Sequence, residues 1–196
     1  MRYLIPLLTC FALPLGVARA QWSLGADLGA LDFGAILRDT VSDARWASLG
    51  SAVTVGVRLE RGMGNVRIAL SVSTASTSLV VEDDTVFVGV KRSFRFVEMT
   101  PEVAFRLAAS STGAAFWLEA GPVLGVWLPD GSEGRVRGGA FGGVGVAVPL
   151  LARVTGALTV RASFTASPFE EGEVISDYAR STAPRVTAQA GVRYRL

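Results

Sequence analysis

From Trp22 onward the chain alternates apolar residues with polar or small ones at a period of two. That is the repeat of strands, whose successive side chains point to opposite faces. The clearest stretch covers residues 49–60, where Leu49, Val53, Val55, Val57 and Leu59 alternate with Ala52, Thr54, Gly56, Arg58 and Glu60. Similar segments occupy residues 22–33, 65–73, 94–107, 116–128, 139–150, 154–166 and 189–196, which makes eight. Within 94–107, Pro101 predicts a bulge or bend because it has no N–H for the ladder. In the last segment Val192, Tyr194 and Leu196 share one face, and Arg193 and Arg195 the other. A strand with charge on one face and bulky apolar groups on the other suits lipid outside and a polar interior within. The alternative is an amphipathic edge strand of a soluble β protein.

The connections alternate in length. Residues 61–64, 110–113 and the region near Leu151 are short turns. A polar segment through Arg38, Asp39 and Asp43, the stretch 76–92 with its Glu82-Asp83-Asp84 tip, the loop 129–134 and the loop 167–184 are longer. The 76–92 stretch is expected as a loop or an extended hairpin. Short turns at one end and long loops at the other are the habit of transmembrane barrels. Glycine decides which face is inside. Gly25, Gly29, Gly56, Gly121, Gly125, Gly143, Gly145 and Gly191 share parity with the charged residues, whereas Gly142 and Gly156 do not. Small residues among long Arg and Glu side chains have a packing reason in a narrow lumen and none on a solvated surface. The expected fold is all-β, an eight-stranded antiparallel up-and-down transmembrane β-barrel over residues 21–196. A soluble barrel would reverse the faces.

The first 20 residues are expected to be a cleaved signal peptide. Met1-Arg2 is a positive start, an apolar run follows, and Ala18-Arg19-Ala20 is a small-x-small cleavage site. Pro6 and Pro14 interrupt the run, which is short for a membrane helix. Cys10, the single cysteine, leaves with this segment unless it is a lipoprotein acylation site, a reading opposed by the short run before it. Half of all residues are hydrophobic, yet no later apolar run is long enough to span a bilayer as a helix. Without Arg2 and Arg19, the 19 Lys and Arg fall to the same count as the 17 Asp and Glu. The pI near 9.1 therefore gives no support for nucleic-acid binding. Lys91 is the only lysine. Arginine suits planar, bidentate pairing with carboxylates in a polar interior, although a GC-rich genome would also favour it.

The terminal pattern Gln189, Gly191, Tyr194, Leu196 resembles the carboxy-terminal signal by which outer-membrane barrels are recognised for insertion, with Leu196 in the place usually held by Phe. Together with the leader and the eight segments, it makes the chain similar to the small outer-membrane barrels: the OmpA transmembrane domain, OmpX-like and OmpW-like proteins, and the outer membrane β-barrel domain family. The resemblance implies a bacterial outer-membrane location. It implies lipid and lipopolysaccharide as surroundings and the barrel-insertion machinery as a partner of the last strand. No peptidoglycan-binding domain follows the barrel, so direct cell-wall anchoring is not expected. The implied roles are structural or surface-interacting, with the loop partner unidentified, or OmpW-like passage of small or hydrophobic solutes. A secreted ligand-binding barrel is the soluble alternative.

Chemistry is constrained by absence. There is no histidine, so Ser-His nucleophiles, His metal ligands and an imidazole base are excluded. Barrels similar to lipid A acyltransferases, deacylases, phospholipases or omptins use a catalytic His, so no enzyme and no cofactor are expected. Glu98 and Glu102 lie about 13 Å apart at about 3.3 Å per residue, too far for a dyad on their own. Arg58, Glu60, Arg67, Glu98, Glu102, Arg106, Glu119 and Arg161 are instead expected to form an ionic network that plugs the lumen, since buried charges must be paired. The acidic tips at Glu82, Asp83 and Asp84 and at Glu170, Glu171 and Glu173 have no calcium-loop spacing and read mainly as solvated charge, divalent cations at the lipopolysaccharide surface being the alternative. Glycine-rich residues 138–145 lack the Lys-Ser/Thr of a phosphate loop. Trp22, Trp46, Trp127 and Tyr194 are candidates for interfacial girdles, with Trp46 and Trp127 on the wrong parity unless a bulge intervenes.

Overall fold

The computed structural model describes residues 21–39, 46–83, 86–129, 133–169, 178–180 and 182–196. The proposed signal peptide, Asp84, and Glu170 to Asp177 lie outside them. The strands are β1 (Gln21–Phe33), β2 (Ala35–Asp39), β3 (Trp46–Leu49), β4 (Ala52–Met63), β5 (Val66–Asp83), β6 (Val86–Ala109), β7 (Ala115–Pro129), β8 (Arg135–Leu151), β9 (Val154–Thr165), β10 (Tyr178–Arg180) and β11 (Ala183–Arg195).

Eight of them close a ring in the order β1-β4-β5-β6-β7-β8-β9-β11, every pairing antiparallel. The seam runs from Ser23 opposite Arg195 to Phe33 opposite Arg185. Leu196 N–H donates to Trp22 O at 2.9 Å and finishes it. A closed ring satisfies backbone groups from strand to strand, which is the condition for crossing a bilayer without helices. The tight turns at Gly64-Asn65, Ser110 to Ala114 and Ala152-Arg153 all lie at the end that holds Gln21 and Leu196. Gly64 and Gly113 take φ of 67° and 85° there, a conformation that favours glycine.

At the other end the wall is uneven. The polar segment after Phe33 is not a plain loop. Its described part is β2, which pairs with β3 on one side and β10 on the other, and β3 in turn pairs with the far end of β5. The 76–92 region is the extended hairpin of β5 and β6, matched from Leu79–Val90 to Asp83–Val86. These additions raise one side of the barrel above β7, β8 and β9.

The two-residue repeat is resolved by exposure. On β9, Leu158 and Val160 are 63% and 50% exposed, while Thr159 and Arg161 between them are 8% and 7% exposed. The same phase holds for Leu24 and Leu28, Val53, Val55 and Val57, and Phe116 and Leu118, all of which face outward. One residue breaks the expected pattern. Leu49 lies inside at 1% exposure because the chain loses its alternation at Gly50-Ser51, between β3 and β4. Gly50 N–H is tied to Ser78 O there, and the Thr77 hydroxyl donates to Gly50 O.

Pro101 produces no bulge. The β6–β7 register is the same before and after it, with Met99 opposite Leu124 and Val103 opposite Ala120. The pairing is simply interrupted between. That register sets Pro101 across from Pro122, so neither strand has an N–H to offer at this point. The register shift comes later, between Arg106 and Ala108.

An arginine at Leu158, halfway along β9 on the outer face, is expected to cost about 2–4 kcal/mol in urea unfolding from lipid vesicles. The same change at Val154, beside the turn, is expected to cost about 0–1 kcal/mol. Equal costs would contradict the outward orientation of β9.

Candidate functional site

The lumen is filled in layers, each traceable to inward-facing positions. In the middle, Arg161 on β9 donates through Nε to Glu119 Oε1 at 2.6 Å and through Nη2 to Glu102 Oε2 at 2.8 Å. Arg58 on β4 pairs with Glu60 at 3.1 Å, with Glu119 at 3.5 Å and with Glu102. Arg67 lies 3.5 Å from Glu60 and 3.9 Å from Glu119. Arg193 on β11 reaches Asp27 at 2.7 Å and Glu60 at 3.8 Å. Separately, Arg185 pairs with Glu98 and donates to Thr165 Oγ1 at 3.3 Å.

Glycine makes these crossings possible. Glu119, Gly143 and Arg161 face one another along a single row across β7, β8 and β9. A Cβ on Gly143 would sit 2.9 Å from Arg161 Cγ and 2.7 Å from Val160 O, so any side chain there would displace the arginine. Gly25 likewise lies between Arg58 and Arg193 in the row across β4, β1 and β11. The ion pairs are buried: Arg58 is 2% and Glu119 1% exposed. Burial of this kind is tolerated only with reciprocal pairing. Arg161 further lies 5.0 Å from the Phe141 ring centre and Arg67 4.4 Å from that of Trp117.

Toward the long-connection end the lumen becomes apolar. Phe96 stacks on Trp127 at 5.3 Å between ring centres, and Phe33 meets both at 6.0 and 5.8 Å. Phe94 packs edge-on against Phe169, and Leu31, Ile36, Leu49, Ala75 and Ala183 complete the buried cluster. Arg185 lies 5.6 Å from the Phe96 ring centre and joins the aromatic layer to the ionic one. A cavity of about 20 Å³ lies between them, lined by Asp27, Thr54, Glu98, Arg161 and Arg185 among others. It is close to the space of a single water.

Toward the short-turn end the lumen opens into a vestibule of about 520 Å³, walled by Glu60, Arg67, Trp117, Arg193 and the exposed Arg106, Arg153 and Arg195. Outside the barrel near this end, Arg61 lies over Trp22 at 5.5 Å.

Of the eight residues expected to line the lumen as a network, Arg58, Glu60, Arg67, Glu102, Glu119 and Arg161 are in mutual ion pairs. Glu98 pairs with Arg185 instead. Arg106 stands apart at the vestibule, donating to Asn65. Sequence reasoning missed Arg185, because β11 begins at Ala183 inside what reads as loop. Asp27 and Arg193 carry inward parity, which was the available signal. Trp127 is no girdle residue: it is fully buried in the aromatic layer, as its parity implies. Trp22 and Tyr194 do lie on the outer face, and the side chain of Trp46 is outside the described set. Gln189 and Gly191 face inward across from Gly29 and Asp27, while Tyr194 and Leu196 are exposed. Among the described residues no group of His, Cys, Asp and Glu has the arrangement of a metal site.

No protein-family model and no curated protein matches this chain. Solved structures do match in fold. Against the outer membrane protein OprG of Pseudomonas aeruginosa the TM-score is 0.63 at 8% identity, covering 90% of this chain and 96% of that one. Neisserial surface protein A gives 0.59 at 12% identity, with 89% and 97% covered. The N-terminal β-barrel domain of OprF from P. aeruginosa gives 0.52 at 11% identity, with 91% and 100% covered.

Removing Arg161 leaves Glu102 and Glu119 short of their principal partner. Arg161→Ala is expected to lower stability by about 3–5 kcal/mol in urea titrations of the refolded barrel. Replacing both Arg161 and Glu119 by Met should cost less than Arg161→Ala alone, as a neutral pair leaves fewer charges stranded. A larger loss in the double variant would show that the ion pairs do not hold this layer together.

Proposed function

We propose that this closed eight-stranded antiparallel barrel, whose fold is that of the small outer-membrane β-barrels, is an integral protein of a bacterial outer membrane with a sealed lumen, serving a structural or surface-interaction role and carrying out no catalysis. The observation that carries this reading is the double filling of the lumen. A buried ionic layer and an aromatic layer lie in series, with about 20 Å³ between them. A hydrated ion cannot pass such a stack without unpairing arginines from carboxylates and separating the Phe96–Trp127 contact.

The outer face supports the membrane setting. Its exposed Leu, Val and Phe side chains form a band that water would not favour and lipid accepts. In this setting the short turns face the periplasm and the long connections face outward. The uneven wall built from β2, β3, β10 and the β5–β6 hairpin is the surface offered to lipopolysaccharide or to a partner outside the cell. The outward Tyr194 and Leu196 and the inward Gln189 and Gly191 support the last strand as the element read by the insertion machinery. The absence of histidine supports a non-enzymatic role.

Planar-bilayer recording separates this reading from solute passage. The wild-type barrel is expected to give no stepwise current in concentrated potassium chloride. Steady conductance from correctly folded protein, identified by faster gel migration before boiling, would overturn the sealed-lumen reading and favour a passive channel.

A further inference from the structure

The charges inside the barrel are unevenly distributed. In the buried layers, five guanidiniums (Arg58, Arg67, Arg161, Arg185 and Arg193) are matched by five carboxylates (Asp27, Glu60, Glu98, Glu102 and Glu119). That set is neutral on its own. Among the described residues, the vestibule below it has Glu60 as its only acidic lining residue, and Glu60 is already shared by Arg58, Arg67 and Arg193. Arg106, Arg153 and Arg195 at its mouth therefore stand as surplus positive charge.

Their other contacts leave donors free. Arg106 donates to the side chain of Asn65, and Arg195 donates to Ala152 O at 2.5 Å and to Gln21 Oε1 at 3.4 Å. These acceptors are neutral. Arg153 has no side-chain partner among the described residues, and its carbonyl accepts the Arg195 N–H at 2.8 Å, which holds the two side by side. All three side chains are exposed to the vestibule and its rim. A concave, low-dielectric wall with charge of one sign concentrates counter-ions. Guanidinium forks match phosphoryl oxygens in pairs.

We propose that this vestibule is a binding site for a polyvalent phosphate-class oxyanion, held by Arg106, Arg153 and Arg195. The cavity, about 520 Å³, has room for a diphosphate or for a phosphoryl group on a small carrier. Two sources share this chemistry: a soluble phosphate compound, and the headgroup of an anionic phospholipid leaning in over the turns. That the ligand comes from the periplasm rests on the outer-membrane reading; the binding itself does not.

The test uses the barrel refolded in maltoside micelles, with inorganic pyrophosphate as the probe, followed by ³¹P line broadening and calorimetry. Saturable binding is expected, weakened by added salt. In a variant combining R106Q, R153Q and R195Q, affinity should fall about tenfold or more, because three charge-assisted contacts are lost together. R153Q alone serves as a second variant that touches no observed side-chain contact, and it should weaken binding by a smaller factor. R95Q, on the outer face at the opposite end, should leave affinity unchanged. Unboiled gel migration checks folding of each variant. The same titration with phosphatidylglycerol in the micelles distinguishes the sources: competition with pyrophosphate assigns the site to lipid headgroups, and its absence to soluble phosphates. No saturable binding by wild type, or equal affinity in the triple variant, overturns the proposal.

Discussion

Gly25, Asp27 and Gly29 of β1 lie opposite Arg193, Gly191 and Gln189 of β11, and that seam removes the last free edge of the sheet. An unpaired edge in hydrocarbon would leave a row of N–H and C=O groups with no partner, each costing several kcal/mol. Closure has a second effect. Because the strand repeat is two, fixing the seam's register fixes which face each strand turns inward, and a slip of one residue would turn the buried arginines to the outer surface. The outer apolar band and the inner charged layer are therefore one decision, made by strand pairing.

What fills the ring follows from its narrowness. An eight-stranded barrel has an interior just wide enough for side chains. Long arginines can cross it only where the facing residue is small, which places Gly143 beside Arg161 and Gly25 between Arg58 and Arg193. The charged layer is close to self-neutralising, so it can be buried. The aromatic layer above it contributes packing without any demand for pairing. Arg185 belongs to both, bonded to Glu98 and lying against Phe96. At the short-turn mouth, where water enters, Arg106, Arg153 and Arg195 have no carboxylate partner among the described residues.

Much of this was legible in the chain because barrel strands announce themselves locally. Alternation located eight strands, and the parity of glycine with charge indicated which face is inside. The failures have local causes too. Leu49 reads as outward because nothing in the pattern of 49–60 reveals that alternation stops at Gly50. β2, β3 and β10 are stabilised by pairing with one another and with β5, contacts between segments far apart in sequence, so their own composition reads as loop. Arg185 was lost with them, since it follows Pro184 at the start of β11. The aromatic layer was half visible: Phe96 carries inward parity beside Glu98, and Trp127 was out of phase with the outer face. Aromatic residues near strand ends suit a girdle and a lumen plug equally well, and only the three-dimensional meeting of β1, β6 and β7 decides between them.

The most direct test is to read the phase of β9 in a bilayer. Residues 21–196 contain no cysteine, so single cysteines at positions 157 to 162 can each carry a spin label in protein reconstituted into vesicles. The account predicts that collisions with lipid-soluble oxygen rise and fall with a period of two, high at Leu158, Val160 and Ala162 and low at Ala157, Thr159 and Arg161. The opposite phase, or no alternation with free access of a polar nickel chelate throughout, would contradict a lipid-facing exterior around a filled lumen.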